Sequence, residues 1–144
     1  MATDFSARGK VTSVETGKVV FNPINTKYEM HLETTQTYTG PLNELISATI
    51  RAKARKIYTV PSGGGFISPI FGPPRTIQGR ALHVQDGMVV IKAGAPIVVE
   101  MPKEDSGIDL SEGPISVGSM VNAVAMPGAK FEFGNVKIVK KLRF

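Results

Sequence analysis

The chain has 144 residues, a net charge of +5, 42% apolar residues and 20% charged ones, a balance that suits a packed globular protein and argues against disorder. It contains no cysteine, which excludes disulfides, thiolate metal sites, iron–sulfur clusters and cysteine nucleophiles in one step. Gly and Pro interrupt the uncharged stretches before the ~20 apolar residues of a membrane helix, and the first residues lack the apolar core of a secretory signal. The expected location is therefore the cytoplasm, with no membrane partner.

Strands dominate the chain in order. Val11, Ser13 and Glu15 alternate with Thr12, Val14 and Thr16 up to Gly17, and the run Lys18–Phe21 then stops at Asn22-Pro23. A glycine between two such runs supplies the positive φ of a hairpin. Residues 27–33 read as a third strand, and 42–48 have room for one short helical turn. The clearest strand is 48–58, with Ala48, Ile50, Ala52 and Ala54 on one face and Thr49, Arg51, Lys53 and Arg55 on the other.

Between Val60 and Arg75 the Gly/Pro content is so high that no regular element is expected. The same stretch carries Phe66, Ile67, Ile70 and Phe71, four large apolar side chains for which a flexible tether has no use. A second series of strands follows at 79–85, 88–92, 96–101, 119–126 and 129–133. Residues 136–144 form one last strand or a basic tail.

The two series resemble one another. Gly9–Val20 aligns without a gap on Gly79–Val90, an offset of 70 residues, with five of the twelve positions identical. At an offset of 71, Tyr28-Glu29-Met30 matches Val99-Glu100-Met101 and Ile50–Ala54 matches Val121–Ala125; between them Gly40-Pro41-Leu42 matches Gly113-Pro114-Ile115. Four blocks in one order point to an internal duplication. Four or five short strands per copy is the strand content of an OB-like, small Greek-key barrel. The expected fold is thus all-β, with a module over 1–60, an apolar linker or finger over 61–76 and a second module over 77–144. The alternative is a single pseudo-twofold barrel to which each copy contributes half.

Chemistry-bearing motifs are few. His31 and His83 stand at non-equivalent places without a second ligand at metal spacing. The acidic group Glu104, Asp105, Asp109 and Glu112 matches no calcium loop and reads as solvated. Gly63–Gly65 lacks the Lys-Ser/Thr of a phosphate loop, and neither Ser62 nor Ser68 has a base in reach. No catalytic residue, cofactor, metal or small-molecule substrate is indicated, and the chain reads as a non-enzymatic protein.

The basic residues carry the functional signal. Arg51, Lys53 and Arg55 project to one side of their strand about 6.5–7 Å apart, Lys56 lies just beyond, and Lys137, Lys140, Lys141 and Arg143 form a second basic segment. Such a stripe suits the phosphate backbone of nucleic acid or another anionic polymer, with Tyr28, Tyr38 and Tyr58 as candidate stacking platforms. It equally suits an edge strand kept soluble and unpaired by its charges, or a partner for the acidic loop. Two expectations follow: binding of an anionic polymer through Arg51, Lys53, Arg55, Lys56, Lys140 and Lys141, or assembly with itself or a protein partner through Phe66, Ile67, Ile70, Phe71 and the strand around Asn122–Met126.

Overall fold

The first hairpin sets the pattern. β1 (Ala7–Glu15) and β2 (Lys18–Pro23) are joined at Gly17, whose φ of 75° is the conformation that favours glycine. Farther along, β7 (Thr76–Gln85) and β8 (Met88–Lys92) turn at Gly87 with the same φ. The ladders agree in detail: one slips between Val11 and Ser13, the other between Ala81 and His83, at the same place in each hairpin. Such a bulge bends and twists its strand, which curls a ladder towards its neighbours.

The computed structural model describes residues 5–103, 107–110 and 113–133. Among them there is no α-helix, and the chain is all-β. The remaining elements are β3 (Glu29–Glu33), β4 (Ile46–Thr59), β5 (Phe66–Ser68), β6 (Phe71–Gly72), β9 (Pro96–Glu100), β10 (Ile108–Asp109), β11 (Met120–Ala125) and β12 (Lys130–Glu132). All join one mixed sheet. The helical turn allowed for at 42–48 does not form; the chain bends there and enters β4 at Ile46. The expected strand or tail at 136–144 lies outside the described residues.

β4 organises the sheet. Its first half pairs antiparallel with β1 (Ala48 with Ala7, Ile46 with Gly9) and with β12 (Ile50 with Phe131). Its second half pairs antiparallel with β11 (Ile57 with Ala123), parallel with β9 (Ala52 with Val99) and parallel with β10 (Ile57 with Ile108). Two circuits of pairings result, and both pass through β4. One runs β1–β2–β3–β12–β4 and back to β1; the other runs β7–β8–β9–β4–β11 and back to β7.

The circuits correspond strand for strand. Gly9 faces Ile46 as Gly79 faces Val121, and Lys18 faces Glu33 as Met88 faces Glu100. A Cβ on Gly9 would collide with the carbonyl oxygen of Asn22, and one on Gly79 with that of Lys92, the corresponding residue of the second hairpin. These registers revise part of the sequence alignment. Glu33, not Glu29, occupies the place of Glu100, and Ile46, not Ile50, that of Val121. The second and fourth blocks thus each shift by four residues, an even number that preserves the inward and outward faces and so leaves the hydrophobic pattern intact.

One hydrophobic cluster fills both circuits. On the first side it is aromatic: the Phe21 and Phe131 rings lie 5.3 Å apart, and Tyr38 meets Phe131 edge-on at 5.8 Å. On the second it is aliphatic, with Ile77, Val89, Ile91, Ile97, Val99 and Val121 buried. β4 supplies both sides, Ile46, Ala48 and Ile50 to the first and Ala52, Ala54 and Ile57 to the second.

The Gly/Pro-rich segment differs from its expectation. β5 lies antiparallel on β7, and β6 lies parallel on β3, so residues 66–72 form a strap from the second circuit to the first. The peptide between Ser68 and Pro69 is cis. Proline lacks an N–H, but at these positions the strap is short enough that Ile67, Glu29 and Arg75 supply its cross-links: Glu29 N–H donates to the Ile70 carbonyl and Arg75 N–H to the Ser68 carbonyl, each at 2.8 Å.

Candidate functional site

The basic stripe of β4 is built by alternation and then broken by a bulge. Ala52 and Ala54 point into the core, so Arg51 and Lys53 face outward. The ladder with β11 pairs Ala54 with Ala125 and Lys56 with Val124, leaving Arg55 as an extra residue. That irregularity turns two consecutive cations, Arg55 and Lys56, towards solvent before Ile57 returns to the core. β4 lies inside the sheet, with strands paired on both of its sides, and one side lacks a partner between Lys53 and Ile57.

The stripe divides in two. Arg51 donates from Nε to the Glu132 carboxylate at 3.0 Å, and Lys130 stands 3.5 Å from Glu33. These half-exposed pairs link β12 to β4 and β3, and each is worth no more than about 1 kcal/mol. Lys53, Arg55 and Lys56 make no ion pair with a described residue; instead they line a cavity of about 590 Å³. Although the sequence places them in the first copy, they stand on the half of β4 that belongs to the second circuit.

A gap in the ladder creates this cavity. β9 pairs with β4 as far as Lys53, and β10 resumes at Ile57. Between these points Met101, Pro102, Lys103 and Gly107 form the facing wall. A Cβ on Gly107 would meet the Pro102 side chain at 2.7 Å and the Arg55 carbonyl at 3.0 Å, so a glycine is what lets this wall close on β4. Among the described residues of the lining, Lys103 adds a fourth cation, Glu100 a carboxylate, and Met101, Pro102 and Met126 apolar surface. Lys103 and Met101 were not expected at a site, and Met126 was expected at a partner interface, because only the return of the chain beside β4 brings the three together. Glu104 and Asp105, next in sequence, lie outside the described residues, as do Glu112, Lys137, Lys140, Lys141 and Arg143.

Other candidate residues are placed elsewhere. Tyr38 is 4% exposed and donates its hydroxyl to the Pro41 carbonyl at 2.8 Å, so it offers no stacking face. Tyr28 is half-buried and accepts a hydrogen bond from the Ile67 N–H. Tyr58, half-buried on β4, is not among the residues lining the cavity. The His31 ring lies edge-on to Phe71 at 4.7 Å, and His83 bonds the Gln85 amide oxygen at 2.9 Å. Among the described residues no three His, Asp or Glu side chains converge on a metal-sized site. Asp109 sits exposed on β10.

The apolar strap is split as well. Ile67 is 2% exposed and belongs to this chain's own core, whereas Ile70 and Phe71 are 62% and 63% exposed and Phe66 is partly so. The strand around Asn122 is occupied by β4 and β7 on its two sides, and Asn122 itself is buried. Of the apolar residues expected to meet a partner there, Met126 is exposed and Val124 half-buried.

No helix among the described residues is long and apolar enough to cross a membrane. Comparison of the chain with protein-family models, with curated proteins and with solved structures finds no match.

Proposed function

We propose that the chain is a non-enzymatic binding protein that holds a nucleic-acid strand by its phosphates along the second half of β4. One observation carries the reading: Lys53, Arg55, Lys56 and Lys103 converge on one cavity, and none is neutralised by a described carboxylate through an ion pair. Like charges gathered around one cavity repel one another, and an anion relieves that repulsion while releasing its own counterions. The frame that carries them is read as two OB-like barrels, derived from one duplicated unit and sharing β4. The common hairpin register, the common bulge and the glycine pair Gly9 and Gly79 support that reading.

The test is fluorescence anisotropy of a labelled single-stranded oligonucleotide over a range of salt concentrations. Binding should weaken linearly in log–log form. Lys53→Ala, Arg55→Ala and Lys56→Ala together should weaken binding and reduce the slope by up to about 2, from roughly 0.7 per phosphate contact on a single strand. Unchanged affinity of the triple variant at low salt would remove the site from consideration.

A second reading, self-assembly or a protein partner, is favoured by a different observation. Ile70 and Phe71 are adjacent, apolar and exposed on a strap that is itself bonded to both circuits, as residues of an interface patch are. Light scattering on the full chain and on Ile70→Ser/Phe71→Ser decides it: an oligomer that dissociates supports this reading, and a monomer in both removes self-assembly.

A further inference from the structure

The cavity beside β4 has two chemical characters, and phosphate binding uses only one. A track for phosphates alone needs cations on an open face. Here the cations share the lining of the hollow with Met101, Pro102 and Met126, and Met126 is left 43% exposed. The volume of about 590 Å³ falls within the roughly 300–1,000 Å³ range of sites that enclose small organic ligands. Thioethers are polarizable, adapt their shape and pack favourably against aromatic rings, so Met101 and Met126 offer a flat heteroaromatic group what the cations offer its phosphate.

Resting on the nucleic-acid reading above, we infer that the cavity takes one nucleotide of a single strand, with the base against Met101 and Met126 and the flanking phosphates on Lys53, Arg55, Lys56 and Lys103. The geometry selects against a duplex. In paired and stacked DNA the base faces are covered, and delivering one to Met101 and Met126 requires unstacking at a cost of a few kcal/mol. A single strand presents its bases already free. Met101, Pro102 and Met126 carry no N–H or O–H on their side chains, so they discriminate base from no base rather than one base from another. Glu100, beside Lys53 in the β4–β9 ladder, is the one carboxylate among the described residues of the lining; it repels a phosphate placed beside it and favours the arrangement with the base inward.

The experiment compares three labelled probes on the full chain at low salt: a 12-nucleotide thymidine oligomer, an abasic sugar–phosphate oligomer of the same length, and a 12-base-pair duplex. The thymidine oligomer should bind about tenfold tighter than the abasic one, and it should also outcompete the duplex. Met126→Ser and Met101→Ser/Met126→Ser should lower thymidine binding towards the abasic value while leaving abasic binding unchanged. Met126→Ser alone, at an exposed position, guards against loss of folding, which circular dichroism monitors in parallel. Equal, tight binding of thymidine and abasic oligomers overturns the inserted base and leaves the phosphate track standing. Preference for the duplex also overturns it, and binding of none of the three overturns both readings.

Discussion

The Ile67 N–H donates to the Tyr28 hydroxyl at 3.1 Å, which fastens the strap of the second circuit to the chain entering β3 of the first. Ile67 pairs with Ile77 in the β5–β7 ladder, and its N–H bonds Tyr28 instead of a backbone carbonyl. The Tyr28 ring is held in place by Gly94, where a Cβ would approach its Cε2 to 2.5 Å. Tyr28→Phe keeps the ring and removes the acceptor, so it should lower the unfolding free energy by about 1–2 kcal/mol. Chemical denaturation of the two proteins side by side measures this, and an unchanged midpoint would show that water replaces the hydroxyl freely.

The two close approaches at Gly9 and Gly79 should be equally intolerant. In each case the added methyl meets a backbone carbonyl, which cannot rotate away as a side chain can. Gly9→Ala and Gly79→Ala are expected to cost about 3 kcal/mol or more apiece. Gly64→Ala, with no heavy atom within 4 Å of the new Cβ, should stay within about 0.5 kcal/mol of the parent. Thermal melts of the three variants provide the comparison; a tolerant Gly79 beside an intolerant Gly9 would break the correspondence of the circuits.

Separating the halves should unfold both. Residues 1–63 contain β1 to β4, but β12 is needed to complete their circuit, and the other circuit takes β4 from them. Cut between exposed Gly63 and Gly64, each fragment alone would leave core residues such as Ile57 or Phe131 without their neighbours. Neither should show a cooperative transition, whereas an equimolar mixture should regain the strand signal in circular dichroism and elute as a 1:1 complex. Cooperative unfolding of residues 1–63 alone would count against the shared strand.

Tyr38 should make stability fall in alkali. Burial, with the Glu44 carboxylate adding to it, raises its pKa above the ordinary 10.0, so the folded state holds the phenolic proton more tightly than the unfolded chain does. This contribution is fully present below about pH 10 and declines as pH rises from there through the folded pKa, because the unfolded chain ionises first. Tyr38→Phe should flatten that decline relative to the parent, as read from denaturation midpoints between about pH 9 and 11.5. An identical pH profile in the variant would show that the phenol ionises without opposing the fold.

Local chemistry settled a large part of this protein in advance. Alternation of Ala and charged residues in β4 requires an extended segment with one buried face, and Gly17 and Gly87 each require a hairpin, because these signals act between residues close in the chain. The second strand series was legible almost to its ends for the same reason. What neighbours in sequence cannot specify is which strand lies beside which. The four-residue displacement of the second and fourth blocks leaves no trace in the sequence pattern because an even shift leaves every face as it was; only the ladders Lys18 to Glu33 and Gly9 to Ile46 fix it.

The candidate site divides along the same line. That Lys53 and Arg55 face outward follows from Ala52 and Ala54 facing in, and this is a property of one strand. The bulge that adds Lys56 depends on β11, the loss of Arg51 to Glu132 depends on β12, and the cavity depends on where β9 leaves β4 and β10 returns. Likewise the burial of Ile67 but not of Ile70 and Phe71 is decided by the β7 and β3 strands that the strap crosses. The amino-acid order by itself determined which residues could be buried or charged on a common face; tertiary pairing decided which of them meet, because contacts between residues far apart in the chain are set by the packing of the whole sheet and by no local preference.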